Sequence, residues 1–207
     1  MNQMSDKVSL VIQAGGGSRR MGEDKALKSF LGRPLIQRVV DRLASIAAEI
    51  LVTTNHPAGY TFLGLRLVPD LVPGCGTLGG LYTAIASASH PIVAVVACDM
   101  PFASAALIEA AIRLLIREEA DVVVPRSSGG LEPMHAVYRG AACLPVIQSA
   151  VESNQLKVID WFPAVHVREI TPEEVAAVEP SGLTFWNINT PEEFITAEKL
   201  AQSGQDH

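Results

Sequence analysis

A three-layer α/β fold with a mainly parallel central sheet is the fold class this sequence predicts, and three observations predict it. Four short, nearly continuous apolar runs, Val8–Gln13, Ile50–Thr54, Ile92–Ala97 and Asp121–Pro125, read as strands buried on both faces. The segments between them carry apolar residues at helical spacing. With 207 residues, 48% hydrophobic and 18% charged, the chain is long and apolar enough to bury a core as one globular domain. Strands and helices that alternate in this way cover both faces of a parallel sheet with helices.

The elements follow in order. The first strand, VSLVIQ, runs into a glycine-rich turn. Pro34 suits the first turn of a helix that places Leu35, Val39, Leu43 and Ile46 on one face. The second strand, ILVTT, comes next. Thr77 is placed to cap a helix with Leu78, Leu81, Tyr82 and Ile85 on its apolar side. After the third strand, Ser104 is placed to cap a helix whose buried stripe is Leu107, Ile108, Ala111, Leu114 and Leu115. Beyond the fourth strand the pattern is less regular. Met134–Arg139, Ala164–Ile170 and Leu183–Asn189 are candidate strands, open to antiparallel pairing. Thr190-Pro191-Glu192-Glu193 reads as a cap, an N1 proline and two first-turn acids, and the tail from Ser203 is expected to fray. No repeat, low-complexity segment or linker interrupts the chain.

Charge and composition narrow the function. The net charge of −6 disfavours a non-specific nucleic-acid binder. The charge is also uneven: residues 152–207 hold three bases against ten acids, whereas residues 17–33 hold Arg19, Arg20, Lys25, Lys28 and Arg33 against Glu23 and Asp24. A cationic island in an acidic protein suits a small anion such as a polyphosphate. Cys75, Cys98 and Cys143 are odd in number and widely spaced, and the five histidines are scattered, so neither a disulfide framework nor a zinc site is expected. The start, MNQMSDK, lacks the pattern of a signal peptide, and no run of 18 apolar residues occurs. The expectation is a cytoplasmic protein without a membrane span.

The chemistry concentrates in the turn after the first strand, Gln13-Ala14-Gly15-Gly16-Gly17-Ser18-Arg19-Arg20-Met21-Gly22-Glu23-Asp24-Lys25. Successive glycines let backbone N–H groups approach a phosphate. Arginines add planar forks, and Lys25 adds a point charge. A P-loop is rejected because Glu23 follows Gly22 where lysine is required, and a dinucleotide fingerprint is rejected because Arg20 holds its third glycine position. Asp99, in Cys98-Asp99-Met100-Pro101, falls directly after a buried strand. Ligands bind at such strand ends, and a carboxylate there suits Mg²⁺ beside a triphosphate. The glycines of the segment at 73–81, after Asp70, suit either backbone contact with a base or sugar, or close helix packing. Asn187 and Asn189 suit either a polar heterocycle or an asparagine-rich turn. Glu132-Pro133-Met134-His135 suits either a pocket wall or a strand start.

The string AGGGSRRMGEDK resembles the signature of the molybdenum cofactor guanylyltransferases. LGRPL at 31–35, VPD at 68–70, GTLGGL at 76–81, CDMPF at 98–102, EPMHAVYR at 132–139 and NINTPEEF at 187–194 are similar to later blocks of that family, in the same order. The resemblance implies a Rossmann-like nucleotidyltransferase fold, with a nucleotide-binding half at about 8–125 and an acceptor-binding half at about 126–202. It implies GTP and the molybdopterin cofactor as substrates and Mg²⁺ as cofactor. Possible partners are other proteins of molybdenum cofactor synthesis or insertion. Gln13, Ala14, Gly15 and Gly16 would contact the nucleotide, largely through backbone, with Asn55, Asp70 and Asp99. Arg19 and Lys25 would hold the phosphates, with Asp99 on the metal as the third member of the catalytic set. Asn187 and Asn189 would receive the pterin. The chain departs from the family at three places: Gln13 stands where leucine is usual, Thr77 where proline is common, and Thr53 where an asparagine is expected, with Asn55 two residues on. Two other classes stay open on the residues, a cytidylyltransferase acting on molybdopterin or another phosphorylated acceptor, and a non-catalytic GTP-binding regulatory protein.

Overall fold

The computed structural model describes residues 7–15 and 24–204. In chain order its elements are β1 (Val8–Gln13), β2 (Ser29–Phe30), β3 (Arg33–Pro34), α1 (Leu35–Leu43), β4 (Glu49–Thr53), β5 (Arg66–Val68), α2 (Gly76–Ser87), β6 (Ile92–Ala97), α3 (Ala105–Arg117), β7 (Val122–Ser127), β8 (Gly130–Leu131), β9 (His135–Arg139), α4 (Gly140–Glu152), β10 (Val167–Ile170), α5 (Pro172–Val178) and α6 (Pro191–Gln202). Short 3-10 turns lie at Lys25–Leu27, Ala44–Ile46, Pro57–Leu63 and Phe162–Ala164.

The main sheet runs β10-β7-β9-β6-β1-β4-β5, with β8 paired to β7 off this path. Strands β5, β4, β1 and β6 are parallel, as are β10 and β7. Strand β9 lies antiparallel to both β6 and β7 and joins the two parallel blocks. Two reversals restore the direction, so the carboxyl ends of β5, β4, β1, β6, β7 and β10 share one edge of the sheet.

Side-chain alternation along the buried strands builds the layers. Leu10 and Ile12 of β1 pack with Val39 of α1 and Leu107 of α3 on one face. Val11 packs with Leu81 of α2 and Ile147 of α4 on the other. All six residues of β1 are buried, as a central parallel strand requires. A third cluster, Phe30, Leu35, Phe102, Ile188, Phe194 and Ala197, ties α6 and the β2–β3 hairpin to the loop after β6. Burying each large apolar side chain contributes roughly 1.5–3 kcal/mol, so this cluster rather than surface ion pairs sets where α6 sits. The hairpin turns on Leu31 and Gly32, both at positive φ (50° and 82°), the two-residue geometry that matches strand twist.

The strands at 8–13 and 92–97 have the expected bounds, and those beginning near 50, 121 and 134 are displaced by one or two residues. Ser104 and Thr190 cap α3 and α6 as expected, through bonds from Leu107 N and Glu193 N. Other expectations are corrected. Leu183–Asn189 is not a strand: its backbone bonds include a local turn, Trp186 N to Leu183 O, and one link to the site, Ile188 N to Asp99 O. Only the last four residues of Ala164–Ile170 pair in the sheet. Thr77 lies inside α2, whose N-cap is Cys75 without a side-chain cap. Pro34 is one residue early, ending β3 as the N-cap of α1 with ψ 138°. Leu114 is only partly buried, and Ile112 takes its place in the α3 stripe. Strand β5 and helices α4 and α5 complete the layers without having been expected. Among the described residues, no helix is long and apolar enough to cross a membrane.

Candidate active site at the carboxyl edge of the sheet

The site begins where β1 ends. Ala14 N donates to Thr53 O at 2.9 Å and Cys98 N donates to Gln13 O at 3.0 Å, so the exits of β1, β4 and β6 are stitched together. Among the described residues, a Cβ built on Gly15 would meet nothing within 4 Å. Gly16 and Arg19, with the rest of residues 16–23, lie outside the described residues. The chain returns at Asp24, whose Oδ1 accepts from Ala26 N at 3.1 Å and so caps the 3-10 turn that presents Lys25. Asp24 Oδ2 accepts from the hydroxyl of the buried Tyr60 at 2.5 Å. Burial, reinforced by the bond to Asp24, raises the Tyr60 pKa, so the phenol keeps its proton as a donor to that cap.

Lys25 is the hub. Its Nζ donates to Asp99 Oδ2 at 3.2 Å, to Ile188 O at 2.6 Å and to Asn189 Oδ1 at 3.4 Å. The Lys25 and Asp99 side chains are 14% and 23% exposed, enough to meet a ligand while partly screened from water. Ile188 N donates back to Asp99 O at 3.0 Å, and Ile188 itself is fully buried in the third cluster. Asn187 turns its Nδ2 to Phe185 O at 3.1 Å and does not reach Lys25. Asn55 and Asp70 form a separate pair at the exits of β4 and β5. Asn55 Nδ2 donates to Asp70 Oδ2 at 2.9 Å, and Asp70 N donates to Asn55 Oδ1 at 3.0 Å. The structure therefore gathers Lys25, Asp99 and Asn189 directly, sets Gln13–Gly15 beside them through Cys98, and puts Asn55–Asp70 on the flank of β4 and β5.

Two further groups shape the walls. Gln13 is 7% exposed, and its buried Nε2 has no hydrogen-bond partner among the described residues. A Cβ on Gly80 would come within 2.9 Å of Gln13 Oε1, and one on Gly79 within 2.8 Å of Cys75 Cβ and 3.0 Å of Val72 O. Close packing of α2 against its own loop and against β1 therefore accounts for this glycine pair. Burial first, then the nearby carboxylates of Asp99 and Asp24, push the Cys98 thiol pKa well up, so this sulfur stays protonated and is no nucleophile. What remains is a cation and a carboxylate at a shared mouth, an arrangement for binding and stabilising phosphoryl charge.

Sequence reasoning missed Tyr60, the capping role of Asp24 and the carbonyl of Ile188. A backbone acceptor carries no mark in a sequence. Asp24 did lie inside the glycine-rich string, next to the lysine it positions.

The MobA-like NTP transferase domain family matches residues 10–163. The chain is 37% identical over 195 residues to a probable molybdenum cofactor guanylyltransferase of Pelotomaculum thermopropionicum, covering 94% of each chain. It is 36% identical over 201 residues to the molybdenum cofactor guanylyltransferase of Desulfosudis oleivorans, covering 97% of this chain and 98% of that one. Its fold is similar to that of molybdopterin-guanine dinucleotide biosynthesis protein A from Archaeoglobus fulgidus, with a TM-score of 0.81 and 22% identity over 94% of this chain and 99% of that chain.

Proposed function

The chain belongs to the MobA-like NTP transferase family, and from that premise we propose that it transfers GMP from GTP to the terminal phosphate of molybdopterin cofactor. The observation that carries this reading is the position of the Lys25 ammonium, bonded at once to Asp99 after β6 and to Ile188–Asn189 ahead of α6. One side chain thus joins the half at 8–125, which would hold the nucleotide, to the half at 126–202, which would hold the acceptor. The 36–37% identity to relatives named guanylyltransferases supports GTP as the donor.

In this mechanism an oxygen of the acceptor phosphate attacks the α-phosphorus of GTP. The new P–O bond forms as the α–β bridge bond breaks, and pyrophosphate leaves with the electron pair. No protein nucleophile is required, so catalysis comes from positioning and charge neutralisation. Gln13, Ala14, Gly15 and Gly16 would offer backbone to the nucleotide, and Asn55 and Asp70 the flank of β4 and β5. Lys25 and Arg19 take up the charge that builds on the phosphates. Asn189, at Lys25, and Asn187 before it would receive the acceptor.

The residues fit Mg²⁺ carried by the substrate. Among the described residues no group of three or more His, Cys, Asp or Glu side chains could cage a metal. Mg²⁺ commonly takes one or two carboxylates and completes its shell with phosphate oxygens and water. Asp99, partly exposed beside Lys25, would supply that carboxylate. When bound, the metal would neutralise charge on the triphosphate and the leaving pyrophosphate.

Calorimetric titration of GTP, CTP, ATP and UTP with Mg²⁺ tests the donor. The expected result is a clear preference for GTP that Lys25→Ala weakens. A preference for CTP would keep the phosphate chemistry and make the chain a cytidylyltransferase.

A further inference from the structure

Lys25 has two carboxylates near it and pairs with one. Its Nζ goes to Asp99 Oδ2 at 3.2 Å, and among the described residues it makes no ion pair with Asp24, its neighbour in the chain. Both carboxylates are within electrostatic reach. Burial first, then the charges of Asp99 and Asp24, raise the Cys98 thiol, and the charge of Lys25 lowers it, so the three charges lie around one sulfur. Two carboxylates beside one cation in a partly screened site compete for it. Something must hold Asp24 back.

Both oxygens of Asp24 are already used. Oδ1 accepts from Ala26 N at 3.1 Å, which is the cap of the lysine turn. Oδ2 accepts from the Tyr60 hydroxyl at 2.5 Å, its one donor among the described residues. A hydrogen bond to an ionised acceptor is about twice as strong as one between neutral groups.

Tyr60 is built to stay in place. It is fully buried and shares a core cluster with Ile12, Val52 and Ala26, the last a residue of the lysine turn itself. Its own 3-10 turn, Pro57–Leu63, is closed by bonds from Gly59 N to His56 O and from Gly64 N to Thr61 O, both at 3.1 Å. A Cβ on Gly59 would come within 3.2 Å of Leu27 Cδ1, so the two 3-10 turns pack directly on each other. The phenol therefore meets Asp24 from a fixed platform between β4 and β5.

We propose that Tyr60 is a positioning residue of the transfer site: its hydroxyl holds the Asp24 carboxylate on the cap and off the Lys25 ammonium, and so leaves that charge to Asp99 and the incoming phosphate. That Lys25 serves a phosphate rests on the proposed function, whereas the hold on Asp24 does not. Two measurements on the full chain test it, with Tyr60→Phe, Asp24→Asn and the double variant. Tyr60→Phe keeps the buried ring and removes only the hydroxyl. Asp24→Asn keeps a capping oxygen and removes the competing charge. In Tyr60→Phe the Ala26 amide should exchange its hydrogen about tenfold faster than in the wild type, because the released carboxylate leaves the cap. Calorimetric affinity for GTP with Mg²⁺ should fall about tenfold in Tyr60→Phe. The double variant should stay within about twofold of Asp24→Asn alone, since no charge is left for the hydroxyl to restrain. A merely structural loss at Tyr60 would persist beside Asn at position 24, so the full fall in affinity reappearing in the double variant would overturn the proposal. Wild-type exchange at Ala26 in Tyr60→Phe would overturn it as well. If the wild type binds no GTP, the guanylyltransferase reading fails, and the Ala26 exchange alone decides the role of Tyr60.

Discussion

At Lys25 three acceptors share one ammonium, and two of them belong to a segment more than 160 residues away in the chain. Replacing either partner of the Lys25–Asp99 pair separates binding from chemistry. Asp99→Ala is expected to keep its far-UV circular dichroism and lose on the order of a hundredfold or more in pyrophosphate release. Near-normal turnover of the purified variant would remove Asp99 from the mechanism. Lys25 and Asp99 were legible because each lies in a compact string after a buried strand, where parallel sheets place ligands. Asn189 was legible as a residue, but its contact with Lys25 was not, because the pairing depends on how α6 docks through Phe194 and Ala197. The Asp24–Tyr60 bond joins residues 36 positions apart through a tyrosine in a 3-10 turn, and nothing local marks it. Glu132-Pro133-Met134-His135 was visible only as a choice between a pocket wall and a strand start, and β9 does begin there, at His135.

Caps set the elements that carry these residues. Thr190 and Glu193 close a reciprocal capping box at α6, and Glu193 Oε2 also accepts from Asn189 N, directly beside the Lys25 contact. Thr190→Ala should therefore cost about 1 kcal/mol, seen in calorimetry as a fall of about 2–4 °C in Tm. An unchanged Tm would mean that the cap is dispensable. Gly79→Ala should be worse, roughly 1–3 kcal/mol in denaturant unfolding, because its Cβ meets the backbone oxygen of Val72, which cannot swing aside. Gly80→Ala should be milder, since it meets only the end of the Gln13 side chain. The capping string TPEE was readable at 190–193, and the same four letters at 171–174 start α5 with a second capping box. Leu183–Asn189 alternates like a strand, yet it finds no sheet edge to pair with and instead buries Thr184 and Ile188 in an irregular crossing. Strand β5 has three residues, too few for a period to show.

Across the whole molecule, continuous apolar runs predicted the parallel layers, because a strand covered on both faces has no room for alternation. The place of β9 between β6 and β7 was not legible, since strand order is decided by long-range packing. One consequence of that placement is testable. His135, on β9, is 1% exposed, and burial depresses its pKa from 6.5 to about 4. Between those values the unfolded chain binds a proton that the folded chain refuses. Stability from this group is thus full above about pH 6.5 and declines as the pH falls toward 4. His135→Gln keeps an acceptor for Ser104 N and should lack that part of the wild-type slope in urea unfolding. Equal slopes would mean that the buried ring does not govern it. The claim at the centre, that one edge of this sheet joins a guanine nucleotide to a phosphorylated pterin through Lys25 and Asp99, is tested most directly by product formation. GTP, Mg²⁺ and molybdopterin are incubated with the protein, and pyrophosphate and the dinucleotide are measured together. Equal amounts of both are expected, dependent on the pterin and lost in Asp99→Ala. Pyrophosphate release without the pterin, or a dinucleotide formed from CTP in preference to GTP, would contradict it.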